Sequence, residues 1–248
     1  MIQIENLSFA LDDEKIITNF SHTFPVGKIT GILAPVEERV SFLLKIISGI
    51  IEPQEGSALV DGVDLFNGTP DDIREVRKTL SFVFDRGGLL SNLSVLENLI
   101  LPMDFYFPDM SHEEKLEKIS WFFHYFSLNS KLLTERPAKL HPQISKMMLL
   151  IRAFLPDPKI ILYDNPLGDL EQTFKKKIFA YISELKKRKL TQVFVSTSDI
   201  LFELSDDNLV FKSGDFVESG SWEELMFSES PITQKLIKEY LEVGINEA

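Results

Sequence analysis

The stretch Gly31 to Gly49, GILAPVEERVSFLLKIISG, has the layout of a chemical site. An apolar strand runs into a turn, and the turn runs into an apolar helix. In such a frame a glycine-rich turn and a lysine wrap phosphate oxygens. Here the turn carries Val36, Glu37, Glu38, Arg39 and Val40 instead, followed by Ser41. A carboxylate about 4 Å from a phosphate oxygen is repelled by roughly 4 kcal/mol at an effective dielectric of 20. Arg39 sets one cation against two such anions. The expectation is a solvated acidic turn in which Glu37 and Glu38 themselves complement the dipole at the helix N-terminus.

Other chemistry-bearing residues point to little. His22, His112, His124 and His141 are scattered and share no metal-ligand spacing, so no metal site is expected. Lys175 to Lys177 and the KKRK run at Lys186 to Lys189 fall on or near a charged helix and read as a solvated face. The chain lacks cysteine, which removes disulfides and thiolate metal sites.

The elements that position these residues can be read from periodicity and punctuation. IQIENLSFAL and TNFSHTF read as strands, followed by a turn and the buried strand before Ala34. From about Glu38, the residues Val40, Leu43, Leu44, Ile46, Ile47 and Ile50 predict one apolar helix face, closed by Gly49 and Pro53. A hairpin is expected around Asp61-Gly62 and a buried strand at Leu80 to Asp85. Ser111 and Glu114 form a capping-box pattern before Leu116, Ile119, Phe122, Phe123 and Phe126. A helix is predicted over Pro142 to Phe154, a strand ending at Asp164, a charged helix over Leu170 to Lys189, and a strand at TQVFVSTS. A hairpin turning at Ser213-Gly214-Asp215 follows, then a final helix with Ser230 as cap and Pro231 at its first position. Buried strands alternating with helices predict an α/β fold with a mostly parallel sheet.

Composition narrows the function classes. A chain of 248 residues with 44% hydrophobic residues can bury a full core. Its net charge of −12 argues against nucleic acid and against anionic lipid surfaces. No apolar run reaches the roughly 20 residues of a membrane span, and the start, MIQIENLSFALDDEK, lacks a signal pattern. A cytoplasmic protein is expected, peripheral to a membrane only through a partner.

The order of these pieces resembles the ATP-binding cassette domain of ABC transporters along nearly the whole chain. GKITGILAP…LLKIISGIIEPQEGSALVDGVDL is similar to the Walker A strand, helix and following hairpin, and IRAFLPDPKIILYDNPLGDL to the Walker B region. VFVSTSDILFELSDDNLVFKSGDFVESGSWEEL is similar to the switch-histidine strand and C-terminal hairpin. RGGLLSNLSVLENLILPM and ESPITQKLI resemble segments of cassettes that drive Mla/Mce-type lipid transporters. The resemblance implies a P-loop NTPase fold in one domain, 1–248. It places an N-terminal antiparallel β subdomain, a helical insertion at about 90–155 and a C-terminal helix at about 230–243.

Carried over residue by residue, the resemblance implies a vestigial nucleotide site. In the Walker A pattern the glycine positions hold Ala34, Glu37 and Arg39, the lysine position holds Val40, and Ser41 alone is kept. Asp164 remains at the Mg²⁺-linked position, but the catalytic-base position is Asn165, which cannot accept a proton from water. Asp85 takes the Q-loop position, Ser198 the switch-histidine position before a retained Asp199, and Glu171 the D-loop position. The signature is Leu140-His141-Pro142-Gln143-Ile144, and Pro142 has no N–H to offer a γ-phosphate. The adenine-stacking position looks like Leu11, with Phe9 nearby, and LILPMDFYFP divides between core and the groove that receives a permease's coupling helix.

The expectation is a pseudo-ATPase: a degenerate cassette subunit acting as structural or regulatory partner of an inner-membrane permease, in lipid transport. Its partners would be an integral membrane permease and a second cassette subunit, as homo- or heterodimer, with no nucleic acid and no direct membrane insertion. No cofactor is expected; ATP and Mg²⁺ are what a functional site would take. The alternatives are an atypical transport ATPase that still binds ATP and a cassette-fold adaptor outside transport.

Overall fold

The computed structural model describes residues 1–198 and 200–247. Two sheets organise the chain. An antiparallel sheet, ordered β2-β1-β4-β5, is built from β1 (Ile2–Leu11), β2 (Glu14–Phe24), β4 (Glu55–Val60) and β5 (Val63–Asp64). The turn between β4 and β5 is Asp61-Gly62, with φ of 51° and 81°, as a two-residue hairpin turn requires. The second sheet, ordered β10-β9-β3-β8-β7-β6, combines β3 (Ile29–Leu33), β6 (Leu80–Val83), β7 (Ile160–Asp164), β8 (Thr191–Val195), β9 (Asp207–Lys212) and β10 (Asp215–Gly220). Every pairing in it is parallel except that of β9 with β10.

β3 and β7 are buried along their whole length, which is why they read as unbroken apolar runs. One core cluster fills the space between the two sheets. A second packs the other face of the parallel sheet against α3 (Val95–Tyr106), α4 (His112–Tyr125), α5 (Pro142–Phe154), α6 (Gln172–Lys187) and α9 (Pro231–Glu247). The remaining helices are α1 (Phe42–Ile47), α2 (Pro70–Thr79), α7 (Ile200–Leu204) and α8 (Trp222–Met226). Gly31 lets β3 pass its neighbours: a Cβ there would lie 2.3 Å from Asn208 Oδ1 and 2.7 Å from Phe202 Cδ1.

Among the elements expected from the sequence, the first helix differs most. The helix predicted from about Glu38 begins only at Phe42 and ends at Ile47, after a separate 3₁₀ turn over Val36–Glu38. Arg39, left-handed at φ 52°, breaks the helical path between them, and Ile50 lies beyond the helix and is exposed. LILPMDFYFP lies largely on α3, where Leu99, Ile100 and Met103 are buried while Leu101 and Phe105 face solvent.

The sheet interface holds one group with a clear pH signature. His22 on β2 stacks on Phe20 and meets the edge of Phe24, with ring centroids 5.8 Å and 4.8 Å away. Its Nε2 is buried without a hydrogen-bond partner. Burial lowers its pKa below the usual histidine value, with Asp207 opposing. The folded state therefore resists protonation, and the stability present above pH ~6.5 is lost as pH falls below it. Thermal melts of wild type and His22→Phe between pH 8 and pH 5 test this. The wild type should lose Tm more steeply on acidification, and parallel curves would contradict it.

Candidate functional site

The strands β3, β6, β7 and β8 are parallel, so their carboxyl ends share one edge, the place where open α/β sheets bind ligands. A cleft of about 400 Å³ opens there. Ala34 and Pro35 enter it from the end of β3, Phe84, Asp85 and Arg86 from β6, Asp164 and Asn165 from β7, and Ser196 and Thr197 from β8. Arg39, Val40, Ser41, Phe42 and Lys45 come from the turn and α1, and Tyr240 from α9.

Its floor is a charged cluster. Burial pushes the Asp164 carboxyl above the usual aspartate range, opposed chiefly by Lys45 and in smaller part by the neighbouring Ser41 hydroxyl. Lys45 reaches the cleft over the ring of Phe42, 4.5 Å from its centroid, and Phe42 stacks on Phe9 at 5.5 Å. Neither Phe9 nor Leu11 lines the cleft. Asn165 is left-handed, φ 48°. Its Nδ2 donates to Asp85 Oδ1 at 3.1 Å and its Oδ1 accepts from Thr197 Oγ1 at 3.3 Å.

Beneath the cleft lies Lys146 of α5, 3% exposed along its side chain. Its ammonium donates to the carbonyls of Asp85 (2.9 Å), Phe84 (3.1 Å) and Asp164 (3.3 Å), and Asp85 Oδ1 stands 3.5 Å away. Burial lowers its pKa, against the pull of Asp85 and Asp164. One side chain thus joins the ends of β6 and β7 to α5. Arg86 meanwhile forms an ion pair with Asp169 at 3.1 Å.

Of the sequence-selected residues, Ala34, Arg39, Val40, Ser41, Asp85, Asp164 and Asn165 converge on the cleft, and Glu37 and Glu38 do not line it. The expected role of these glutamates at the N-terminus of α1, and for Glu38 the expected approach to a phosphate, are corrected by geometry. They sit in a 3₁₀ turn set apart from α1. The Glu38 carboxylate points the other way, pairing with Lys212 Nζ at 2.7 Å and accepting from the Ser213 N–H at 2.7 Å. Ser198 also stays off the cleft lining, its N–H donating to Ser196 Oγ at 3.0 Å, and Asp199 lies outside the described residues. His141 caps the start of α5 without a side-chain bond, and Pro142 is its first residue. Gln143 Nε2 donates to Glu171 Oε1 at 3.0 Å. Pro142 lines a second cavity of about 390 Å³ with Asp85, Arg86, Lys146 and Asp169.

Lys45, Lys146 and Tyr240 went unread in the sequence. Lys45 follows Ser41 by four residues, one helical turn further along the same face. Lys146 is a lone cation in the otherwise apolar run KMMLLI. No local pattern marks Tyr240, because its partner lies more than 200 residues away.

The fit to ATP and Mg²⁺ is uneven. Ser41 and Asp164, a hydroxyl beside a carboxylate, suit a hard divalent cation. The turn before α1 is partly closed on itself. The amides of Glu38, Phe42 and Leu43 already donate to the carbonyls of Pro35, Arg39 and Val40. Val40, which the family resemblance sets at the lysine position, is buried and apolar.

The chain matches the family model for "ABC transporter" over residues 17–168. The phospholipid transport ATP-binding protein MlaF of Haemophilus influenzae is 26% identical over 92% of this chain and 87% of its own length. The sulfate/thiosulfate import ATP-binding protein CysA of Synechocystis is 26% identical over 90% of this chain, which spans 61% of its length. A dimeric ATP-binding cassette solved with ADP and Pi superposes with a TM-score of 0.81 over 89% of this chain and 98% of its own, at 23% identity. With a match covering more than half of its residues, this chain belongs to the ABC transporter family.

Proposed function

We propose that this chain is a catalytically degenerate ATP-binding-cassette subunit, a structural or regulatory partner of an inner-membrane permease and a second cassette, in lipid transport. The observation that carries this reading is the turn at Pro35 to Ser41. Its Glu38 amide donates to the Pro35 carbonyl, the residue at its lysine position on the family resemblance is Val40, and its Glu38 carboxylate is tied to the β9–β10 hairpin. Asn165 agrees with it, since both ends of its amide are bonded and neither can act as a general base. The likeness to MlaF supports the lipid assignment.

One observation favours the alternative, an atypical cassette that still takes ATP. Arg39 and Lys45 face the cleft beside the Ser41–Asp164 pair. Phosphate release separates the two readings. The purified chain with Mg-ATP should release phosphate at the rate of an enzyme-free blank, and turnover of about 1 s⁻¹, within the usual enzyme range, would contradict the proposal. Isolation from detergent-solubilised membranes should bring an integral membrane protein with the tagged chain. Its absence would point to an adaptor outside transport.

Asp164 gives a second test. Its folded-state pKa is raised, so the folded state holds its proton more tightly and stability falls as pH rises past the usual aspartate range. Asp164→Asn should therefore melt above wild type at pH 7 in metal-free buffer, the gap closing toward pH ~4. A variant that melts below wild type at pH 7 would show that the carboxylate supports the fold.

A further inference from the structure

Beyond its missing catalytic groups, the turn that replaces the phosphate loop is gripped from two sides. On one side Glu38 reaches the β9–β10 hairpin, bonding Lys212 and the Ser213 N–H, both at 2.7 Å. On the other, Tyr240 of α9 donates its hydroxyl to the Ala34 carbonyl at 3.0 Å. Tyr240 is buried, its ring meeting Phe202 edge-on at 5.3 Å, and burial raises its pKa, so the hydroxyl stays protonated and remains a donor.

The two grips are joined. Glu218 on β10 accepts from Ser228 Oγ at 2.6 Å and from the hydroxyl of Thr233, a fully buried residue in the first turn of α9. The path is closed: from the turn through Glu38 to the hairpin, through Glu218 to the start of α9, and through Tyr240 back to the turn. Each link is a hydrogen bond or ion pair between different elements, and of the side chains that make it only Glu38 belongs to the turn.

We propose that α9 and the β9–β10 hairpin form a clasp that holds this turn in one conformation, so that any partner displacing α9 loosens the turn. The clasp deepens the proposed loss of nucleotide control, because the turn's shape is then set by the protein's own C-terminal helix. It does not depend on that reading, and its test contains no nucleotide.

The test is hydrogen exchange on the full chain, followed in peptides covering residues 34–44, with Tyr240→Phe and Glu218→Ala compared to wild type. Tyr240→Phe keeps the ring and removes one hydrogen bond. Glu218→Ala cuts the circuit on the far side from the turn. Both should speed exchange at 34–44 by about three- to tenfold, the size of one lost hydrogen bond, with β1 and β4 unchanged. Unchanged exchange at 34–44 in both variants overturns the clasp. Acceleration in Tyr240→Phe alone reduces it to a single local bond and overturns the circuit. Micromolar Mg-ATP binding by the wild type would defeat the degenerate-cassette reading and leave this result standing.

Discussion

A single ammonium ties the ends of β6 and β7 to α5 below the cleft. Lys146 is nearly sealed from water, and an unpaired charge in such a place would cost several kcal/mol. The cost is offset by carbonyls at the ends of β6 and β7 and by the carboxylate of Asp85, all within 3.5 Å. Removing Asp85 or shifting either strand end would leave the charge uncompensated. The positions of Asp85, Asp164 and Asn165 relative to one another follow from that constraint. The amide of Asn165 then closes the gap to Asp85 where a carboxylate would have been repelled.

The upper edge of the cleft is set by a different device. The backbone at Arg39 is left-handed, although a side chain there costs about 1 kcal/mol. Around that geometry the side chains make local contacts. Val40 joins the core between the sheets, and Glu38 anchors the turn to a hairpin. On the proposed reading the frame persists because these contacts maintain it, with the nucleotide no longer among them.

Much of the fold was legible because its signals are local. Ser111 with Glu114, Pro142 after His141, and Asp61-Gly62 all mark element ends by chemistry within a few residues, and the structure places those ends there. α2 was missed although its marks are present: Thr69 as cap, Pro70 at its first position, Asp71 and Asp72 in the first turn, and Arg77 and Lys78 in the last. The site was legible as a set of positions. Ala34, Ser41, Asp85, Asp164 and Asn165 do meet. What the sequence could not give was direction. Glu38 and Lys45 lie on the same short stretch, yet one turns to the hairpin and the other to the cleft. That choice depends on Lys212 and Asp164, which are distant in sequence.

Whether this cleft still recognises a nucleotide is the point on which the functional account turns, and calorimetric titration of the intact chain with Mg-ATP addresses it most directly. The account predicts no saturable heat up to millimolar nucleotide, where an affinity weaker than about −4 kcal/mol would place it. A saturable isotherm with a micromolar Kd and one nucleotide per chain would contradict it.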